Sequence, residues 1–129
     1  MAKKQPSGKL SSEELIEKMK KERFGRLSDA HLHLAERDPE FMQTYDDLFQ
    51  LLMTRERQLT IKQKELIVIG MLAVKGQFAA MRTHVKRARK SGVTENQILE
   101  ALELAMMYGG TESMIHGTLA MLEAVAESK

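Results

Sequence analysis

Along its first half the chain sets apolar residues three and four positions apart among charged ones, while from Leu66 to Val74 the polar positions all but vanish. The first pattern predicts amphipathic helices, and the second predicts a helix apolar nearly all round that must be central. In "SSEELIEKMKKERFG", Ser11 and Glu14 form a capping box, Leu15 and Met19 share a side, and Gly25 marks a stop. "LSDAHLHLAERD" reads as a short helix capped by Ser28. "DPEFMQTYDDLFQLLM" starts another, with Asp38 as N-cap, Pro39 at the first helical position, and a stripe of Phe41, Met42, Tyr45, Leu48, Phe49 and Leu52.

The run "LTIKQKELIVIGMLAVKG" carries a second capping box, Thr60 with Gln63. Its β-branched residues would suit a strand, but the cap, the length and Gly76 at the C′ position favour a helix. "QFAAMRTHVKRARKSG" ends at Gly92, "VTENQILEALELAMMYGG" repeats the cap with Thr94 and Gln97, and "TESMIHGTLAMLEAVAE" is the last helical stretch. No segment reads as a hairpin and no repeat has a solenoid period. An all-α domain over residues 11–129 is expected, preceded by a flexible 1–10 in which Pro6 and Gly8 stand among lysines.

Composition narrows the picture. With 129 residues, 5% aromatics and no Trp, the core must be built from Leu, Ile, Val, Ala and the ten Met. Lys+Arg at 20 against Asp+Glu at 18 is too balanced for a protein whose main partner is nucleic acid. The chain has no cysteine, which removes disulfides, thiolate ligands and thiol nucleophiles together. The opening "MAKKQPSGKLSSEEL" lacks an apolar signal region and no window reaches the length of a membrane span, so a cytoplasmic protein is expected, with no membrane partner.

The remaining chemistry centres on His84. At about 100° per residue, Gln77, Ala80, Met81, His84 and Ala88 fall on one helix face and Arg82, Lys86 and Arg89 on the opposite one. An inward His84 is either a neutral core histidine donating to a carbonyl or carboxylate, or an acid/base group. Glu65, in the first turns of its helix, would serve equally for capping or for pairing with Lys62 or Lys64. Gln77 at a helix start would cap or face water.

Other groups offer less. His31 and His33 point to nearly opposite sides of a helix, and Glu112 with His116 reads as an exposed i,i+4 contact. "KRARK" lacks interleaved aromatics and reads as a solvated face; Met71, Met81, Met106, Met107, Met114 and Met121 read as packing. No phosphate loop, Ser-His-Asp pattern or metal motif is present, so neither cofactor nor metal is expected.

From Glu65 through His84 to "KSGVTENQILEALELAMMYGG" the chain resembles the carboxymuconolactone decarboxylase family, which includes the alkylhydroperoxidase-D-like proteins. Members carry a Glu on a buried helix, a His on the next, a Gly-Val/Leu-Thr turn matched by Gly92-Val93-Thr94, and a helix ending in an aromatic and Gly, matched by Tyr108 and Gly110. The resemblance covers roughly residues 38–125. It implies the alkylhydroperoxidase-D-like helical fold and a homo-trimer or homo-hexamer.

The family's redox branch reads Glu-x11-Cys-x2-Cys-x3-His, which falls here on Glu65, Gln77, Ala80 and His84; both thiols are missing, so the thiol peroxidase activity is excluded. The decarboxylase branch often reads Glu-Leu-Arg-Leu-His where this chain has Ala80-Met81-Arg82-Thr83-His84, and its Gly-Trp-Pro is Gly110-Thr111-Glu112 here. The resemblance thus implies cofactor-free acid/base chemistry, decarboxylation or isomerisation, on a small carboxylate or lactone. His84 and Glu65 would be the catalytic pair, and Gln77 and Tyr108 would bind substrate. The alternative is a non-catalytic oligomeric scaffold or binding protein of the same fold.

Overall fold

The computed structural model describes residues 10–22 and 27–128, and every regular element among them is helical. The expected flexible start, apart from Leu10, and the Gly25 stop lie outside the described residues. Two compact units divide the chain, one up to Arg55 and one from Glu56.

In the first unit, α1 (Ser12–Glu22), α2 (Asp29–Arg37) and α3 (Pro39–Phe49) pack together, and α3 runs on into a π-helical segment, Gln50–Thr54. The caps fall where the sequence places them. Ser11 and Glu14 exchange backbone-to-side-chain hydrogen bonds of 3.1 and 3.2 Å, Ser28 accepts from the His31 amide, and Asp38 accepts from the Phe41 amide ahead of Pro39. Leu15, Met19, Ala35 and Met42 form the buried cluster.

The α3 stripe departs from expectation. Only Met42 of it is buried, while Phe41, Tyr45, Leu48 and Leu52 are exposed. The second buried residue of α3 is Asp46, held by Lys18 Nζ of α1 at 2.6 Å. A hydrophobic period locates a helix's apolar face, but α3 turns a polar anchor toward α1 instead, because a buried carboxylate with a charged partner can be accommodated there.

The second unit holds α4 (Ile61–Val74), α5 (Phe78–Lys90), α6 (Glu95–Gly109) and α7 (Thr111–Glu127). Each packs chiefly on two others, in the cyclic order α4, α5, α7, α6. Ile69 and Ala73 of α4, Met81, Val85 and Ala88 of α5, Ile98 and Leu102 of α6, and Ala120, Met121 and Ala124 of α7 close the core between them. Burying such side chains contributes roughly 25 cal/mol per Å² of apolar surface removed from water.

Two Thr-x-x-Gln capping boxes, Thr60 with Gln63 and Thr94 with Gln97, start α4 and α6. The α5 end is a Schellman turn: the Val93 amide donates to the Ala88 carbonyl and the Gly92 amide to the Arg89 carbonyl. Gly92 takes φ of +96°, a left-handed conformation that a Cβ disfavours.

The apolar α4 is not buried all round in this chain. Ile67, Met71 and Val74 are exposed, and with Leu104, Met107 and Tyr108 of α6 they border an open groove. The methionines divide likewise: Met81 and Met121 lie in the core, whereas Met71 and Met107 face outward. No described helix is long and apolar enough to cross a membrane.

Candidate active site

Glu65 stands in the second turn of α4 and His84 near the middle of α5, and the packing of these helices brings the two side chains together. His84 Nδ1 lies 2.9 Å from Glu65 Oε2. The carboxylate is sealed, with 1% of its side chain exposed, while the imidazole keeps 17% open. An ionised carboxylate only accepts hydrogen bonds, so against it a neutral ring would carry its hydrogen on Nδ1 and its lone pair on Nε2. Nε2 makes no hydrogen bond to the described residues. That is the arrangement of an oriented imidazole with one nitrogen available for proton transfer.

The other oxygen of Glu65 faces a residue that the sequence reading passed over. Arg87 Nε lies 3.4 Å from Oε1, an ion-pair distance that lacks the geometry of a formed hydrogen bond. Arg87 belongs to the "KRARK" run expected to be solvated, yet only 12% of its side chain is exposed. The signal for it was its spacing: three residues beyond His84 on a helix puts it one turn along the same side.

Helix α5 also faces differently from the expectation. Its buried positions are Met81, Val85 and Ala88, with His84 at their margin, whereas Gln77 and Ala80 are exposed. Gln77 is the N-cap of α5, but its side chain makes no capping hydrogen bond. The inward face is set by contact with both α4 and α7. Arg82 and Lys86, expected to point to water, reach across to α7, where Arg82 pairs with Glu123 at 3.0 Å and Lys86 with Glu127.

Gln77 lies about two turns, on the order of 10 Å of helix rise, before His84. Tyr108 is 92% exposed and lines the α4/α6 groove, to which neither His84 nor Glu65 contributes. The structure therefore brings His84, Glu65 and Arg87 together and leaves Gln77 and Tyr108 outside that cluster. His116 and Glu112 form the expected i,i+4 pair at 2.7 Å, well exposed. Among the described residues no three His, Asp or Glu side chains gather as metal ligands.

A model of the carboxymuconolactone decarboxylase family matches residues 39–123. The chain belongs to that family. Its fold is similar to two crystal structures. One is of a provisionally named carboxymuconolactone decarboxylase from Burkholderia xenovorans LB400, at 19% identity, with 90% of this chain and 95% of that one covered and a TM-score of 0.73. The other is of the apo form of a carboxymuconolactone decarboxylase family protein from Legionella pneumophila, at 21% identity, with 92% and 97% covered and a TM-score of 0.69. Among curated proteins, none matches the chain. The chain is a family member without cysteine.

Proposed function

We propose that this carboxymuconolactone decarboxylase family protein performs cofactor-free acid/base chemistry, decarboxylation or isomerisation, on a small carboxylate or lactone. The observation that carries the reading is the 2.9 Å contact of a sealed Glu65 with a partly open His84. Glu65 orients the ring and stabilises the imidazolium, while Nε2 takes or returns a proton next to a carbonyl. Loss of CO₂ from a β-keto or vinylogous acid leaves an enolate or dienolate that needs a proton, and an imidazolium can deliver it. Gln77 is within reach only of an extended substrate, and we assign Tyr108 to subunit contact through its apolar groove. The same reading includes a cytoplasmic homo-trimer or homo-hexamer, supported by the exposed apolar faces of α3, α4 and α6.

A second reading has one observation in its favour: Glu65 has a cation-forming group against each oxygen and is closed to solvent, as in a structural ion cluster. The protein would then be a non-catalytic oligomeric scaffold. Single-turnover assays of CO₂ release and isomerisation over a panel of β-keto acids and unsaturated lactones separate the two, with His84→Ala as control. Acid/base function requires turnover that falls by ~10²–10⁴-fold in His84→Ala while the melting temperature and assembly mass hold. No turnover in wild type, together with a lower melting temperature in His84→Ala, favours the scaffold.

A further inference from the structure

We propose that Arg87 is a positioning residue that keeps Glu65 in its carboxylate form and thereby fixes which nitrogen of His84 is free to act as a base. The assignment rests on reading His84 as the acid/base group, and it names the residue that sets its tautomer. Glu65 lies between two groups that address different oxygens, Arg87 Nε at 3.4 Å from Oε1 and His84 Nδ1 at 2.9 Å from Oε2. Both come from α5, one turn apart, and the carboxylate that joins them comes from α4.

A carboxylate removed from water is costly unless a full opposite charge lies near it, and a neutral imidazole supplies one hydrogen bond but no charge. The guanidinium supplies that charge at every working pH, because arginine does not lose its proton. With Glu65 ionised, Nδ1 of a neutral ring must donate to it, and Nε2 is left with the lone pair. Were Glu65 to take up a proton, its O–H would donate to Nδ1, the ring hydrogen would sit on Nε2, and the open nitrogen would present a donor where a base is needed. Arg87 therefore selects between two states of the pair that differ in the chemistry offered to a ligand.

Several other charged groups near α5 have partners of their own. On α7, Glu123 is paired with Arg82, Glu127 with Lys86, and Glu112 with His116. On α5 itself, Arg89 donates to the Val93 carbonyl. On α4, Lys62 extends toward Gly92, and Lys64 has a contact of its own. Arg87 lies within ion-pair distance of Glu65.

The test is ¹⁵N NMR of the His84 ring nitrogens in the full-length protein, followed through a pH titration that spans the proton uptake of the histidine–glutamate pair, in wild type, Arg87→Met and Arg87→Lys. Wild type is expected to show the Nδ1–H tautomer. Arg87→Met is expected to shift the tautomer ratio toward Nε2–H by about tenfold or more, and Arg87→Lys to restore most of it by returning a charge without the guanidinium fork. A folded Arg87→Met with the wild-type ratio overturns the proposal. If Arg87→Met does not fold, isotope-edited infrared spectroscopy of wild type decides: a Glu65 carboxylate band through the whole histidine titration supports the assignment, and a protonated carboxyl band overturns it. None of these readouts uses turnover. An inactive protein that shows the Arg87 effect loses only the catalytic reading, and an active one without the effect loses only the role of Arg87.

Discussion

At the scale of single residues, identity and placement carry separate information. His84 and Glu65 were candidates from their register with a family pattern, and each had a plain alternative in its local sequence, since a Glu in the first turns of a helix serves the helix dipole just as well. Glu65 is closed to solvent and its carboxylate meets side chains of α5. Arg87 was hidden in a basic run whose local pattern reads as solvated, because nothing in a single helix reports a carboxylate arriving from another. Glu65→Gln tests the pair: an amide offers Nδ1 a neutral acceptor and Arg87 no charge. The expected result is a loss of thermal stability, and of any turnover, without a change of fold. Differential scanning fluorimetry with circular dichroism measures the first, and a melting temperature equal to wild type would show that the cluster contributes nothing.

Element-scale features were the most legible part of the chain, because caps and stops are written in a few adjacent residues. Thr60 caps the helix that carries Glu65, and its removal in Thr60→Ala is expected to cost about 1 kcal/mol in chemical denaturation. Gly92→Ala forces a Cβ into a left-handed position, 3.1 Å from Lys62 Cε, and is expected to cost about 1–2 kcal/mol in the same measurement. The Lys18–Asp46 contact between α1 and α3 belongs to the same scale but was not legible, since it joins residues 28 apart. Burial pulls the Lys18 ammonium down most strongly of any single cause, yet the hydrogen bond it donates to Asp46 and the charges of Asp46, Glu22 and Asp47 together outweigh it and leave Lys18 raised above 10.5. A raised lysine contributes stability that is complete below its unfolded value, about 10.4, and is lost as pH rises through the higher folded value. The contribution is screened, because Lys18 remains partly exposed. In thermal melts followed by circular dichroism, wild type should exceed Lys18→Met near neutral pH, and the gap should close above about pH 10.5; a constant gap would show that packing, not charge, connects these helices.

For the whole molecule, the decisive feature is apolar surface that a single chain leaves open. Leu104, Met107 and Tyr108 are 66, 71 and 92% exposed, along one side of α6 beside the bare face of α4. Light scattering at micromolar concentration is expected to give a mass several times that of one chain, and Leu104→Glu with Met107→Glu is expected to reduce it; a monomeric wild type would remove the oligomer from the proposed function. This surface also marks the boundary of what the linear chain encodes. Helix positions, their caps and the absence of cysteine follow from local spacing and composition, since each depends on residues a turn or two apart or on a count, whereas Glu65 and His84, 19 residues apart, were linked only through the family resemblance and meet only in the fold. Which face α3, α4 and α5 turn inward followed only from packing. Asp46 is buried while the apolar stripe of α3 is bare, Gln77 and Ala80 are exposed, and Arg87 is drawn onto Glu65, because burial and charge pairing are settled by neighbours brought together from distant parts of the chain, which no local period records.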